Sequence, residues 1–192
     1  MTAPLVLEQL DVSSPALIAE WERAFYKGFS HVTGNRLIRT LWQWDDEQQR
    51  LATRIPYADQ VIYYWRDPEG IIASSIATNI AMTQFQSSAF GFQPDRSDGS
   101  PRSCELIAAF SLSDRSFSHV IEVRNAALAD LYERGFRRAY LTTADKIYNL
   151  WMRCGARVLG EALIEGERRR FLEFPLNPSG VPGPPARPAR PS

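Results

Sequence analysis

Apolar residues recur with two different periods along the second half of the chain, and these periods predict an order of elements. An apolar run from Cys104 to Leu112 predicts a strand, and a polar loop follows it at 113–118. The next segment has a helical period and ends at Gly135. Its apolar face comprises Val120, Val123, Ala127, Leu128 and Leu131.

The rest of that half predicts a strand, a short helix and two further strands. The strand covers 138–142, and the helix ends at Gly155. Two strand-like runs flank Glu165-Gly166. The whole order is therefore β-α-β-α-β-β. The predicted core face of the short helix comprises Ile147, Leu150, Trp151 and Cys154.

The first half begins with a well-marked helix and contains a hairpin. Ser14 is suited to cap a helix that starts at Pro15. A second helix is predicted over about 35–52. Residues 60–82 predict two strands joined by a tight turn at Asp67-Pro68-Glu69-Gly70.

Two segments show neither period. Residues 83–102 predict a long loop whose aromatic residues fold back on the domain, either as a functional loop or as a mobile connection. Residues 177–192 are rich in proline and arginine and predict a disordered tail. One domain over 1–176 followed by this tail is the expected organisation.

Composition narrows the function classes. Formal net charge is zero, which does not favour binding to nucleic acid or to an anionic membrane. No apolar run is long enough to span a bilayer, and the first ten residues lack a signal-peptide pattern. The two cysteines, Cys104 and Cys154, have no metal-ligand spacing and are expected to be free buried thiols. A cytoplasmic protein is the expectation.

The predicted strand-loop-helix unit places a loop where ligands usually bind. In parallel β-α-β units, the carboxyl end of a strand meets the amino end of the following helix. Backbone N–H groups at a helix start have no partner within the helix, so the loop at 113–118 suits an anionic group.

This order of elements resembles the GCN5-related N-acyltransferase (GNAT) superfamily. Within it, residues 60–175 resemble the acyl-homoserine lactone synthases and the N-acyl amino acid synthases most. The matching motifs are the strand Glu105-Leu106-Ile107-Ala108-Ala109-Phe110 and the helix-to-strand stretch 146–160. The resemblance implies a mixed α/β fold in three layers: a twisted, mostly antiparallel sheet with one splayed parallel strand pair, and helices on both faces.

The resemblance also implies an activity and a site. It implies transfer of an acyl group from a thioester, acyl-CoA or an acyl carrier protein, to the amine of a small molecule, in an autoinducer-synthase-like reaction. The thioester would lie in the splayed gap near 109–112. The implied donor-binding residues are Phe110, Ser111, Leu112, Arg115, Ser116, Ser118 and His119. For Arg115 and His119 the alternative is a solvated surface residue.

Three departures from the family pattern keep a second interpretation open. Ala108 stands where the synthases have a substrate-holding arginine, and the phosphate loop keeps Arg115 but has no glycine. Trp151 stands where acetyltransferases frequently have a tyrosine as general acid. The alternative is a catalytically degenerate GNAT-fold module that binds a ligand or a partner.

Glu105 and Tyr148 are the candidate catalytic residues. A carboxylate within an apolar strand is expected to have a raised pKa, which suits a general base; the alternative is a solvent-facing strand end. Tyr148 precedes Trp151 by about one turn and is a candidate general acid, or a packing residue.

Charged segments outside this region have two interpretations each. Asp45 and Asp46 follow Trp44, as acidic residues do before the hairpin of the lactone synthases, or form a solvated turn. The run 167–170 either protects an edge strand or binds the acidic helix of an acyl carrier protein.

Overall fold

A seven-stranded sheet forms the centre of the molecule. The computed structural model describes residues 7–32, 36–81, 83–94, 102–112, 117–153 and 155–180, without the side chains of Arg36, residues 117–120 and Lys146. The strands are β1 (Glu8–Gln9), β2 (Gln43–Asp45), β3 (Arg50–Ala52), β4 (Gln60–Arg66), β5 (Ile72–Asn79), β6 (Ser103–Ser111), β7 (Arg138–Ala144), β8 (Arg157–Ile164) and β9 (Glu167–Pro175). The α-helices are α1 (Pro15–Phe29), α2 (Arg36–Leu41), α3 (Phe117–Glu133) and α4 (Asp145–Arg153).

The sheet order is β1-β4-β5-β6-β7-β9-β8, and β2 and β3 form a separate two-stranded sheet. Every pairing in the large sheet is antiparallel except that of β6 with β7, which is parallel. The predicted mixed α/β class, with one parallel pair in a mostly antiparallel sheet, is therefore confirmed.

Strand alternation gives the sheet two buried faces, each covered by helices. In β4, Val61 and Tyr63 pack into the core beneath α3 and α4, while Ile62 and Tyr64 pack into the core beneath α1 and α2. Because both faces are covered, the sheet is the middle layer of three.

The first helix forms as its sequence predicts. The Ser14 side chain accepts a hydrogen bond from the N–H of Leu17 at 3.4 Å, and Pro15 occupies the first turn. Trp21 and Phe25 on its inner face are completely buried.

The second predicted helix is wrong beyond Leu41, where α2 ends. The chain turns instead into the β2–β3 hairpin, in which the Asp45 side chain accepts a hydrogen bond from the N–H of Gln48 at 2.8 Å. Leu51 is completely buried against the α1 layer, and Arg50 forms an ion pair with the buried Glu22. Packing against α1 therefore overrides the helical pattern.

The predicted core face of α4 is also partly wrong. Ile147 is 45% exposed, whereas Trp151 is buried and Tyr148 and Met152 pack against the core. Cys154 lies outside the described residues. Cys104 is buried with a free thiol, and burial raises its pKa.

The two segments without a helical or strand period, residues 83–102 and 177–192, differ in how much of each the structure describes. Within the first, a 3-10 helix covers Gln86–Phe90, and Phe85 and Phe92 pack on Tyr140 and Phe171. In the second, residues 177–180 form a turn whose glycine, Gly180, is buried; residues 181–192 lie outside the described part, and the disordered tail stays a prediction. Among the described residues, no helix combines the length and apolar character needed to cross a membrane.

Candidate active site

Strands β6 and β7 pair over three residues and then separate. The paired positions are Ser103 with Arg138, Cys104 with Ala139 and Glu105 with Tyr140. Beyond them β6 continues to Ser111 paired with β5 alone, while β7 continues to Ala144 paired with β9 alone. The predicted splayed pair is confirmed, and the gap opens just after Glu105.

The register fixes which backbone groups face this gap. The N–H of Leu112 donates to the carbonyl of Ala73 on β5 at 2.7 Å. Because successive residues of a strand point to opposite edges, the N–H groups of Ala109 and Ser111 point away from β5. The Ile107 carbonyl agrees with this parity, since it accepts a hydrogen bond at 3.3 Å from the side chain of Gln86 across the gap.

The gap contains a cavity of about 120 Å³ that is lined from both faces of the sheet. Its described lining contains no acidic residue and no histidine, tyrosine, lysine or cysteine. Groups from the α1–α2 layer and from α4 both contribute to it. The lining residues are Phe29, Ile38, Leu41, Trp42, Ile76, Gln86, Leu106, Ile107, Ala108, Ala109, Leu141, Thr142, Ile147, Trp151 and Arg169.

Two of these lining residues carry buried hydrogen-bond donors. The indole Nε1 of Trp151 and the Nε of Arg169 have no acceptor among the described residues. Arg169 also binds Glu167 through Nη2 at 3.0 Å, so its charge is partly balanced. Buried donors are nearly always paired in folded proteins, so this pair indicates that the cavity accommodates a group with acceptor atoms.

Glu105 lies at the closed end of the gap with both carboxylate oxygens engaged. One oxygen accepts the N–H of Ser87 at 2.7 Å, and the other accepts the N–H of Gln86 at 2.6 Å and the amide of Asn79 at 3.5 Å. Burial raises the pKa of this carboxyl, and the same hydrogen bonds oppose the shift. Glu105 therefore anchors the start of the 86–90 helix.

A second and larger cavity lies beyond this anchor. It measures about 420 Å³ and is bounded by α2, the 86–90 helix and the turn between β8 and β9. Leu41 and Gln86 line both cavities. The two spaces are therefore neighbours that share a wall.

The donor-binding residues predicted on β6 have separate surroundings. The ring of Phe110 stacks on Phe25 of α1 at 5.8 Å between centroids, so it supports the strand from the α1 side. The hydroxyl of Ser111 lies 3.2 Å from that of Ser74, and Leu112 packs against the same α1–α2 core. None of the three lines the cavity, and of the three only Ser111 has its backbone N–H turned away from β5.

The other predicted residues lie outside the gap or outside the described part. The Tyr148 ring lies under the guanidinium of Arg170, 4.0 Å from its centre, and does not line the cavity. Arg115 and Ser116 lie outside the described residues. Ser118 and His119 belong to the first turn of α3, and their side chains are not described. Their roles stay predictions.

The charged segments singled out in the sequence are engaged in ion pairs. Asp46 binds Arg39 at 2.8 Å, and Arg170 binds Asp145 and Glu161. Neither contact decides between the interpretations offered for these segments. Among the described residues, no group of three or more His, Cys, Asp or Glu side chains could hold a metal ion.

Sequence reasoning missed three contributors to the gap, namely Trp42, Gln86 and Arg169. Gln86 lies in a segment without a period, and Trp42 lies in a predicted helix that does not extend that far. Arg169 had a signal, since alternation along β9 places it on the same face as Phe171.

Solved structures agree with this geometry. The chain matches TofI in a ternary complex with an inhibitor and MTA, with a TM-score of 0.71 and 17% identity over 91% of this chain and 98% of that one. It has the fold of the acyl-homoserine lactone synthases. It also matches the CoA-dependent synthase BjaI with SAM and isopentyl-CoA, with a TM-score of 0.72 and 13% identity over 93% of this chain and 86% of that one. The match to the AHL synthase LasI has a TM-score of 0.70 and 14% identity over 98% of this chain and 100% of that one.

The GNAT-like fold predicted from the sequence is thereby confirmed. These identities are too low to carry more than the fold. No model of a known protein family matches the chain, and no curated protein sequence matches it.

Proposed function

We propose that this protein is an N-acyltransferase that moves an acyl group from a thioester to the amine of a small molecule. The observation that carries the proposal is the gap between β6 and β7, where backbone N–H groups face a lined cavity instead of a neighbouring strand. The activity needs a pre-formed donor for the developing oxyanion, and the N–H of Ala109 has the orientation for it.

The thioester donor is acyl-CoA or an acyl carrier protein. The start of α3 follows the open end of the gap, so its backbone N–H groups suit the phosphate of either carrier. BjaI, which shares the fold, is a CoA-dependent synthase whose structure contains isopentyl-CoA. This likeness supports a thioester donor of the same class.

The reaction joins the amine nitrogen to the acyl carbon and breaks the carbon–sulfur bond. The amine attacks the thioester carbonyl, and its oxygen takes the negative charge facing the N–H of Ala109. Collapse of this intermediate releases the carrier thiolate, and the proton lost by the amine ends on that sulfur. Trp151 lines the same gap and can donate a hydrogen bond, but its indole cannot supply an acidic proton.

Glu105 has two roles to choose between. As a general base it would need to face the amine, whereas Glu105 does not line the cavity in the gap and its described hydrogen bonds go to residues 79–87. This geometry favours a positioning role, and the base stays a prediction. If Glu105 is the general base, Glu105→Gln lowers kcat by roughly a hundredfold or more and removes one limb of the pH–rate profile.

The acceptor is an amine that also carries an anionic or carbonyl group. Ala108 cannot hold such a group, but Arg169 reaches the gap from β9 with an unpaired Nε. An amino-acid-like amine fits this donor. SAM, which is present in the BjaI structure, carries an α-amine and a carboxylate and is a candidate of this kind.

The test is mass spectrometry after incubating the protein with a matrix of acyl thioesters and amines. An N-acyl product that depends on the protein supports the proposal. Absence of an acyl product from every pair of thioester and amine would contradict it, whether or not calorimetry detects thioester binding.

A specific observation also favours a second function, a ligand-binding module without catalysis. The described lining of the gap contains no side chain that titrates near neutral pH. A module of this kind would bind thioesters yet release no free thiol in the presence of any amine.

A further inference from the structure

Two side chains, those of Leu41 and Gln86, lie between the cavity in the gap and the cavity behind it. Gln86 lines both the 120 Å³ cavity in the gap and the 420 Å³ cavity behind it. The inner cavity contains the proposed reaction centre, and the outer cavity has a largely apolar lining that includes Phe85, Phe90 and Ile164. An acyl chain that passed Gln86 would find a place to extend.

Hydrogen bonds hold Gln86 in this position at three points. Its N–H donates to Glu105 at 2.6 Å, and its Nε2 donates to the carbonyl of Ile107 at 3.3 Å. Its Oε1 accepts the indole N–H of Trp42 at 2.8 Å. Because both ends of its amide are hydrogen-bonded, the Gln86 side chain is held in one rotamer.

The distance along β6 then limits the acyl group. The N–H proposed to hold the thioester oxygen belongs to Ala109, and Gln86 binds the carbonyl of Ile107, two residues away. The Cα atoms of these two residues lie about 7 Å apart along the strand. The carbonyl oxygen of Ile107 and the N–H of Ala109 lie closer together than that, because both project from the strand between the two Cα atoms. Van der Waals contact with the Gln86 amide takes up part of this length.

The cavity in the gap is also the smaller of the two, at about 120 Å³ against about 420 Å³ for the cavity behind it. Trp151 contributes its indole to the wall of the smaller cavity on the α4 side.

We propose that Gln86 restricts this protein to short acyl groups, because its amide binds the Ile107 carbonyl only two residues along β6 from the proposed oxyanion N–H. The proposal rests on the acyl-transfer function above and names the substrate class of the same site. Removal of the Gln86 amide would open a passage beside Leu41 into the outer cavity.

The experiment compares acetyl-, butyryl-, hexanoyl-, octanoyl- and dodecanoyl-CoA on wild-type protein and on Gln86→Ala. Binding is measured by calorimetry without an amine, and transfer by mass spectrometry with one. The affinity of the wild-type protein should be lower for hexanoyl-CoA than for butyryl-CoA, and it should remain low for octanoyl- and dodecanoyl-CoA. Gln86→Ala should bind the longer acyl-CoA molecules more tightly than wild type does, with affinity rising roughly fourfold for each methylene that enters the outer cavity.

Two control variants test whether an effect of Gln86→Ala comes from the shortening of the side chain at this position. Gln86→Met keeps a side chain of similar length and should keep the short-chain profile. Gln84→Ala removes an amide that lines the outer cavity only, and it should leave the profile unchanged.

The outcomes distinguish the two proposals. Equal wild-type affinity for butyryl- and dodecanoyl-CoA overturns the length limit and leaves acyl transfer standing. An unchanged profile in a folded Gln86→Ala variant overturns the role of Gln86. Short-chain binding with no product from any amine contradicts acyl transfer, and absence of binding by every thioester contradicts both.

Discussion

Several buried polar atoms have no hydrogen-bond partner among the described residues, and they differ in what they imply. The donors of Trp151 and Arg169 line the cavity and have a proposed ligand. The hydroxyl of Thr78 is also buried without a partner, but Thr78 does not line the cavity. It therefore offers a test of stability alone.

Replacing Thr78 by valine should stabilise the protein. Thr78 is completely buried on β5, so its unpaired hydroxyl lowers the free energy of unfolding and a methyl group of the same shape does not. The expected gain is about 1 kcal/mol, measured by urea denaturation. Thr53 is the matched control, because its hydroxyl accepts the amide of Gln60 at 2.9 Å. Thr53→Val should destabilise, and equal effects of the two changes would contradict the argument.

The raised pKa of Glu105 predicts a pH dependence of stability. Burial, the main cause, makes the folded state hold the proton more tightly than the unfolded state does. The contribution of Glu105 to the free energy of unfolding is fully present below the pKa of the unfolded state, about 4.5, and is lost as pH rises through the pKa of the folded state. Glu105→Gln lacks this term. The stability of wild type relative to the variant should therefore decrease from pH 4 towards pH 8.

Chemical denaturation at several pH values measures that difference. Glu69→Gln, on the exposed turn of the β4–β5 hairpin, is the control and should change stability by less than about 0.5 kcal/mol. A difference between wild type and Glu105→Gln that grows with pH would mean that the carboxylate is stabilised in the fold.

At the scale of elements, α1 lies unusually close to β6. A Cβ added at Gly28 would come within 2.9 Å of the Cβ of Phe110. The missing side chain lets the helix approach the strand that borders the gap. The position of the strand therefore depends on a glycine within a helix.

Gly28→Ala should destabilise the protein although alanine favours helices more than glycine does. Helix propensity alone favours alanine by about 1 kcal/mol, but overpacking costs about 1–3 kcal/mol. The neighbouring exposed Lys27→Ala serves as control. Urea denaturation of both variants decides the sign, and a Gly28→Ala variant more stable than wild type would contradict the close approach.

Elements with a strong period could be predicted from the sequence, and elements held by distant contacts could not. The β4–β5 hairpin and the helices that begin at Pro15 and end before Gly135 follow local signals. The β2–β3 hairpin depends on burial of Leu51 and on the Arg50–Glu22 pair, neither of which a local period reveals. The same reason explains why the anchoring of Gln86 by Glu105 was missed.

At the scale of the molecule, the sequence predicted the splayed strand pair but not the contents of the gap. The order of elements and the resemblance at 105–110 were enough to place it. Which backbone groups face it depends on the register of β6 with β5, including a shift beside Ala77 and Thr78, and only coordinates show this.

The central claim is that the N–H of Ala109 holds the oxyanion during acyl transfer. The most direct test is the single-turnover rate of acyl transfer by Ala109→Pro, which lacks this N–H, against Ala109→Gly, which keeps it. We predict that the rate falls about a hundredfold to a thousandfold in the proline variant and changes at most a few-fold in the glycine variant. A folded Ala109→Pro variant that transfers acyl groups as fast as Ala109→Gly would contradict it.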